Sequence, residues 1–449
     1  MNASTATSIE TPPLPKPHIV RSLIRDANVY DVTGRVAAVA GDTVEIEGMA
    51  AALGSICELI PTLGERKLAT VIGFNDNRIV LAPLERLTSV SAGDTARLVD
   101  SSAKIRVGPS LCGRVIDAFG RPLDHKPLPL DLVTVDSERA PPHSLSRPPI
   151  DTPLQTGIRA IDAMLTCGQG QRLGIFAGSG VGKSTLLGML ARGSNADRIV
   201  IGLVGERGRE VQEFIDHSLG DEGLKRSVVV VATSDTPAAQ RVAAASTATA
   251  IAESFRDDGE NVLLLMDSVS RYATAQRELG LAAGEPPTTR GYPPSVFNML
   301  PRLVERAGRS ANGSITAFYS VLVEGDDPNE PVADTLRGLL DGHIVLDRTL
   351  ASEAHWPPIN VVDSLSRLQP HLVDQQTLAA SADARRLLSD YRHNQDLISI
   401  GAYRQGSDPV LDRAIEMRPG LKDFLTQDST EVAMLPESQK ELASLIGRK

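Results

Sequence analysis

The stretch RLGIFAGSGVGKSTLLGMLAR carries Gly178, Gly180 and Gly182 into Lys183 and Ser184, between an apolar run and a helical one. Glycines at this spacing let successive backbone N–H groups turn inward around phosphate oxygens, and the helix start adds a positive partial charge. Lys183 then reaches the terminal phosphates, and the Ser184 hydroxyl suits Mg²⁺. A strict phosphate loop has glycine where Ala177 stands, a mild departure because alanine is small. The candidate ATP-binding run is therefore Gly178, Ser179, Gly180, Val181, Gly182, Lys183, Ser184 and Thr185; the plain alternative is a glycine-rich surface turn.

Two carboxylates extend this chemistry. NVLLLMDS puts Asp267 at the end of an apolar strand, where it can hold Mg²⁺ directly or through water. RIVIGLVGERGREVQEF offers Glu206 just past a strand end, where sheet enzymes present ligand-facing residues. Glu206 suits the orientation of an attacking water, but spacing equally allows a helix-start carboxylate or a surface ion pair. Arg207, a further catalytic candidate, and Arg209 lie beside it and can pair with carboxylates or phosphate oxygens.

These residues need a sheet to bring them together, and the chain has room for one. With 449 residues it is too long for one small core. Candidate strands at Arg172–Phe176, Ile199–Val204, Val228–Ala232, Val262–Met266 and Ile315–Val321 alternate with helical segments, the pattern of a mainly parallel sheet covered by helices. Before them, short Val- and Ile-rich runs separated by Gly and Asp turns predict a β barrel over residues 29–100. The ATPase domain follows over 101–370, with an ordered Pro-rich linker at 140–153. DARRLLSDYR, DPVLDRAIEM and SQKELASLIG read as amphipathic helices, giving a helical domain over 371–449. Residues 1–28 read as a mobile tail without a secretion signal.

The 46 Lys and Arg against 56 Asp and Glu leave a formal charge of -10, which argues against broad attraction to nucleic acid or anionic lipid. No apolar run approaches the roughly 20 residues that cross a bilayer. Cys57, Cys112 and Cys167 lack paired spacing and read as reduced packing residues of a cytoplasmic protein.

Longer stretches carry a resemblance. GRVIDAFGRPLD, PLQTGIRAIDAMLTCGQGQRLGIFAGSGVGKSTLL, GERGREVQEF, MDSVSRYATAQRE, GEPPTTRGYPPSVFNMLPRLVERAG, YSVLVEGDDPNEPVADTLRGLLDGHIVLDR and GAYRQGSDPVLDRAI closely resemble the flagellar and type III secretion export ATPases, relatives of the catalytic subunit of rotary ATP synthases. The likeness runs from about Gly34 to Gln427. It implies an α/β fold with an N-terminal β barrel, a RecA-like P-loop sheet and C-terminal helices, and an ATP- and Mg²⁺-dependent ATPase acting in protein export.

By the resemblance, Glu206 matches the glutamate that polarises the attacking water. Arg367, in VVDSLSRLQ, matches the arginine finger offered to the neighbouring subunit's γ-phosphate. Trp356, in AHWPPIN, stands where the family usually carries a tyrosine against adenine; a buried core anchor is its alternative. Tyr403 is a candidate second aromatic wall. The loop GYPPSV, Gly291–Val296, resembles the segment that faces the ring's channel. Implied partners are five further copies in a homohexamer, a coiled-coil stalk, a stator or regulator on the N-terminal region, export-gate membrane proteins, and chaperone–substrate complexes, with no nucleic acid. The implied location is cytoplasmic, held at the inner membrane by the export apparatus.

Other P-loop classes fit less well. There is no Asn-Lys-x-Asp guanine motif, and the barrel region lacks the interleaved basic and aromatic residues of a nucleic-acid motor. A ring subunit that binds nucleotide without hydrolysing it would not need Glu206 with Lys183, Asp267 and Arg367. YSVLVEGDDPNEPVAD and GAYRQGSDP resemble the export branch rather than ATP synthase, and the look of the barrel favours a flagellar over an injectisome role.

Overall fold

The N-terminal Val- and Ile-rich runs close into a barrel in the computed structural model, which describes residues 31–323 and 330–447. The tail expected over residues 1–28 and part of YSVLVEGDDPNEPVAD lie outside the described residues. Six antiparallel strands, β1 (Thr33–Ala40), β2 (Thr43–Glu47), β3 (Ile56–Ile60), β4 (Lys67–Asn75), β5 (Arg78–Pro83) and β6 (Thr95–Asp100), close in the order β1-β2-β5-β4-β3-β6. Alternate residues point inward, so Val44, Ile46, Cys57, Leu59 and Leu81 fill the centre.

The second sheet has nine strands, eight of them in one path: β7 (Arg114–Asp117), β8 (Arg172–Ala177), β9 (Arg198–Glu206), β10 (Ser227–Thr233), β11 (Asn261–Asp267), β12 (Ser314–Leu322), β13 (Gly342–Val345) and β14 (Leu365–Ser366). Their order is β14-β13-β8-β12-β11-β9-β10-β7, parallel except for β14. The sheet is covered on both faces, as parallel sheets require. Along β9, Ile199, Ile201 and Leu203 enter one core while Val200 and Val204 enter the other. The same period-two split sends Leu263 and Leu265 of β11 one way and Leu264 and Met266 the other. All the strand ends that matter for chemistry therefore emerge at one edge of the sheet.

One face packs against the short helix α1 (Arg159–Met164), α2 (Lys183–Gly193) and the C-terminal helices. The other packs against α3 (Ala238–Asp257), α4 (Val269–Ala282), α5 (Pro294–Val304) and α6 (Pro331–Leu339). The Pro-rich stretch is ordered against this body: Arg147 donates to the Glu305 carbonyl at 2.7 Å, and Arg309 meets Asp151 at 2.5 Å.

The C-terminal helices are α7 (Gln375–Ser399), α8 (Pro409–Leu425) and α9 (Leu435–Leu445). Capping chemistry sets where two of them begin. Asp374 accepts from Thr377 N at 2.7 Å, and Asp408 accepts from Val410 N at 2.9 Å just ahead of Pro409. Beyond α8, Gln427 accepts from Arg159 N at 2.9 Å and donates to the Gly157 carbonyl at 2.8 Å, fastening this region to α1.

The three cysteines are free; Cys57 and Cys167 are buried and Cys112 half-buried. Burial pushes the Cys57 thiol up to about 11, which suits packing rather than reactivity. Among the described residues no helix is long and apolar enough to cross a membrane.

Candidate active site

Strand β8 runs into the glycine-rich loop and α2 begins at Lys183, the strand–turn–helix order that aims backbone N–H groups at a phosphate. Gly180 has φ 77° and Gly182 φ 100°, left-handed values that side-chain-bearing residues rarely adopt. Gly182 has a second reason to lack a side chain: a Cβ there would come 2.5 Å from Cζ3 of Trp356. Val181 turns inward and is buried in the core, so the loop is tethered between its two left-handed glycines.

Two strand ends then close on Lys183. β11 ends at Asp267, whose Oδ1 lies 2.5 Å from Lys183 Nζ, and β9 ends at Glu206, whose Oε1 lies 3.2 Å from the same ammonium. A bulge delivers Glu206: Val204 pairs with Ala232, but Glu206 already pairs with Thr233. The extra residue, Gly205, has φ 74°, and a Cβ on it would meet Arg271 Cβ at 2.8 Å. Asp267 is almost completely buried and is held by the Ser320 hydroxyl, which donates to Oδ1 at 2.6 Å from neighbouring β12.

Charge follows geometry here. Burial alone would lower the Lys183 pKa, but the charges of Asp267 and Glu206 outweigh it and raise it, so the ammonium stays charged. Glu206 is raised by burial, and Asp267 and a hydrogen bond with Glu210 add to this; Lys183 opposes. Glu210 is lowered, first by that hydrogen bond. The cation therefore sits between two carboxylates with which a phosphate must compete.

The donors also suit Mg²⁺. Ser184 and Asp267 offer hard oxygens beside the loop, and no group of three or more His, Cys, Asp or Glu among the described residues forms an all-protein cage. Two such oxygens suit a Mg²⁺ whose remaining ligands are water and substrate phosphates.

Next to the loop lies a cavity of about 350 Å³ lined by Gly182, Thr185, Met189, Trp356, Pro357 and Gln427, among others. Trp356 is 39% exposed, so it is no core anchor. Its indole presents an aromatic face beside the loop, and its carbonyl accepts from Gln427 N at 2.7 Å.

Four residues singled out in the sequence are not brought into this group. Arg207 is largely exposed and ion-paired to Glu210 at 3.2 Å, and Arg209 pairs with Glu213 at 2.8 Å. Arg207 is thus one hydrogen-bonded carboxylate removed from Glu206. Tyr403 is absent from the Trp356 cavity; its hydroxyl donates to the Asp412 carboxylate at 2.9 Å, between α7 and α8. Arg367 follows β14, and its N–H donates to Asp341 O at 3.0 Å, where Asp341 also receives Arg172 N at 3.0 Å. It therefore sits at the starting end of β8, whereas Lys183 lies beyond the finishing end, a strand length of roughly 20 Å for six residues.

Ser320, Glu210 and Gln427 join the site without having been singled out in the sequence. Ser320 is separated from Asp267 by 53 residues and meets it only through the β11–β12 pairing. Glu210 lies four residues after Glu206, in the first turn of the helix Gly208–Glu213 that follows β9.

The profile of the ATP synthase alpha/beta family, nucleotide-binding domain, matches residues 157–366, and that of the T3SS EscN ATPase C-terminal domain matches residues 373–444. The flagellum-specific ATP synthase of Bacillus subtilis (strain 168) is 53% identical over 422 residues, covering 94% of this chain and 96% of that relative. The assembled ATPase EscN from the enteropathogenic E. coli type III secretion system superposes with a TM-score of 0.87 at 44% identity, covering 92% of this chain and all of the other. EscN in complex with its central stalk EscO gives a TM-score of 0.85, also at 44% identity.

Proposed function

This chain belongs to the flagellar and type III secretion ATPases of the ATP synthase alpha/beta family, and from that premise we propose that it is the ring ATPase that energises protein export through a flagellar apparatus. It binds and hydrolyses ATP. The observation that carries the reading is the union, in one chain, of the Lys183–Glu206–Asp267 cluster with an export-type C-terminal region. In this reading the ring unloads and unfolds chaperone-bound substrates at the export gate. A homohexamer forms around a coiled-coil stalk, with a stator on the N-terminal region. It works in the cytoplasm, held at the inner membrane by these partners.

We propose the following residue roles. The loop N–H groups and Lys183 take the β- and γ-phosphates, with Lys183 leaving its two carboxylates as phosphate oxygens replace them. Ser184 and Asp267 hold Mg²⁺, which when bound offsets phosphate charge. Glu206, released from Lys183, accepts a hydrogen bond from the attacking water and takes its proton as the oxygen bonds to phosphorus and the ADP oxygen leaves. Arg367 offsets the charge of the transferring phosphoryl group in the neighbouring subunit. Arg207 is kept near that site by Glu210.

Two measurements bear on these roles. A water-activating Glu206 must be ionised, and its pKa is raised, so kcat/KM rises with pH along an acid limb above the ordinary carboxylate range. Glu206→Gln abolishes that limb; a limb confined to the ordinary range counts against the role. Trp356 is the sole tryptophan, so its fluorescence reports the cavity directly. ATP or ADP is expected to change the emission. A silent titration, with binding measured by calorimetry, removes Trp356 from the base site.

The loop Gly291–Val296 is stiffened where Arg277 stacks 5.2 Å over Tyr292 and Tyr292 meets Phe297 edge-on at 6.1 Å. A shaped loop of this kind suits contact with a turning stalk.

The deciding experiment is deletion of the chain in its source bacterium. Lost swimming and filament-protein export, restored by the wild type and not by Glu206→Gln, supports the flagellar reading. Normal swimming with lost effector secretion assigns an injectisome instead.

A further inference from the structure

An arginine lent to a neighbour is useful only when it is held in place, and the structure shows what holds it. The Arg367 guanidinium donates through Nη2 to the Arg337 carbonyl at 3.3 Å, near the end of α6. The Arg337 guanidinium in turn lies 4.8 Å over the ring of Phe176. Phe176 is the next-to-last residue of β8, two positions before Gly178 of the phosphate loop.

The stack is built rather than incidental. Phe176 is buried, and its ring folds back over Gly174, where a Cβ would come within 2.4 Å of it. Glycine in a strand interior weakens the strand, so its presence here marks a close approach that needs the space. His343 closes the other side of the ring, edge-on at 6.0 Å. Arg337 thus has a rigid aromatic partner attached to one nucleotide site and a backbone oxygen attached to the group that serves the next.

We propose that Arg337 is a positioning residue for Arg367, and that its stack on Phe176 ties the placement of that arginine to the phosphate loop of its own subunit. The proposal rests on Arg367 acting in the neighbouring site. Movement of the loop as phosphate binds shifts Phe176, Phe176 carries Arg337, and the Arg337 carbonyl carries Arg367. Each subunit in this way reports its own nucleotide state to the next as the presence or withdrawal of an arginine.

The test uses full-length rings of Arg337→Met, Arg337→Lys and Arg367→Ala, each alone and mixed with Glu206→Gln, which keeps its arginine and an intact, nucleotide-binding phosphate loop but turns over slowly. Arg337→Met keeps the methylene packing without the charge. It is expected to assemble and to bind ATP with unchanged KM while kcat falls roughly 10- to 100-fold, the scale of a misplaced catalytic group. Arg337→Lys, which retains a cation over the ring, is expected to restore most of kcat. Because the defect lies in the arginine that is lent, mixing Arg337→Met with Glu206→Gln should regain activity, as should the Arg367→Ala mixture. If Arg367→Ala is rescued but Arg337→Met is not, or if Arg337→Met raises KM with kcat intact, Arg337 acts on its own site and the proposal falls. If neither mixture recovers although mixed rings form, the role of Arg367 itself falls. Thermal melting of each variant separates loss of fold from loss of placement.

Discussion

Glu206→Gln is expected to lower the rate of ATP hydrolysis roughly 10²- to 10⁴-fold, the range for loss of a positioned general base. ATP binding should survive or tighten. Lys183 sits between two carboxylates, 2.5 Å from Asp267 and 3.2 Å from Glu206, and phosphate must displace both. Neutralising Glu206 removes one competitor without removing a ligand of the nucleotide. Lys183→Ala should do the reverse, weakening binding as well as turnover. Equilibrium binding and steady-state rates on both variants separate the two outcomes. Wild-type turnover in Glu206→Gln would show that another group takes the proton, and lost ATP binding would make Glu206 a binding residue; either sinks the assignment.

Arg367→Ala carries the second large effect, a fall on the order of a thousandfold or more in kcat, since an arginine finger offsets charge that builds only in the transition state. Arg367 is anchored at the starting end of β8 through Asp341, and Lys183 lies past the other end, so on the proposed role the loss is expected to be felt in a neighbour. Specific activity of the wild type should rise steeply with protein concentration as rings form. Full activity in dilute monomer, shown as monomer by light scattering, would rule out a shared site.

What was legible in the sequence was what neighbouring residues decide. The loop from Gly178 to Thr185 has its conformation written in its glycines, and Asp267 is marked by the apolar run before it. The strands could be read because two buried faces demand near-continuous apolar runs. Ser320 and Gln427 were not legible, because their partners lie 53 residues away on another strand and 270 residues away at Gly157. Arg367 shows no local sign of function, since its meaning depends on which end of the sheet it occupies. Arg207 and Tyr403 differ in another way: their types suit a nucleotide site, and in this structure each is paired with a carboxylate, Glu210 and Asp412.

Gln427 ties together parts that are otherwise far apart. Its backbone N–H holds the Trp356 carbonyl, its side chain holds Arg159 N and Gly157 O, and the residue itself lines the cavity beside the phosphate loop. The C-terminal helices and the cavity wall are thus one mechanical part. A torque on the outer helices strains the wall around the nucleotide, and a nucleotide that shifts the wall turns the helices. Strain on those helices and nucleotide affinity at the cavity thus become conjugate quantities, each altered by a change in the other.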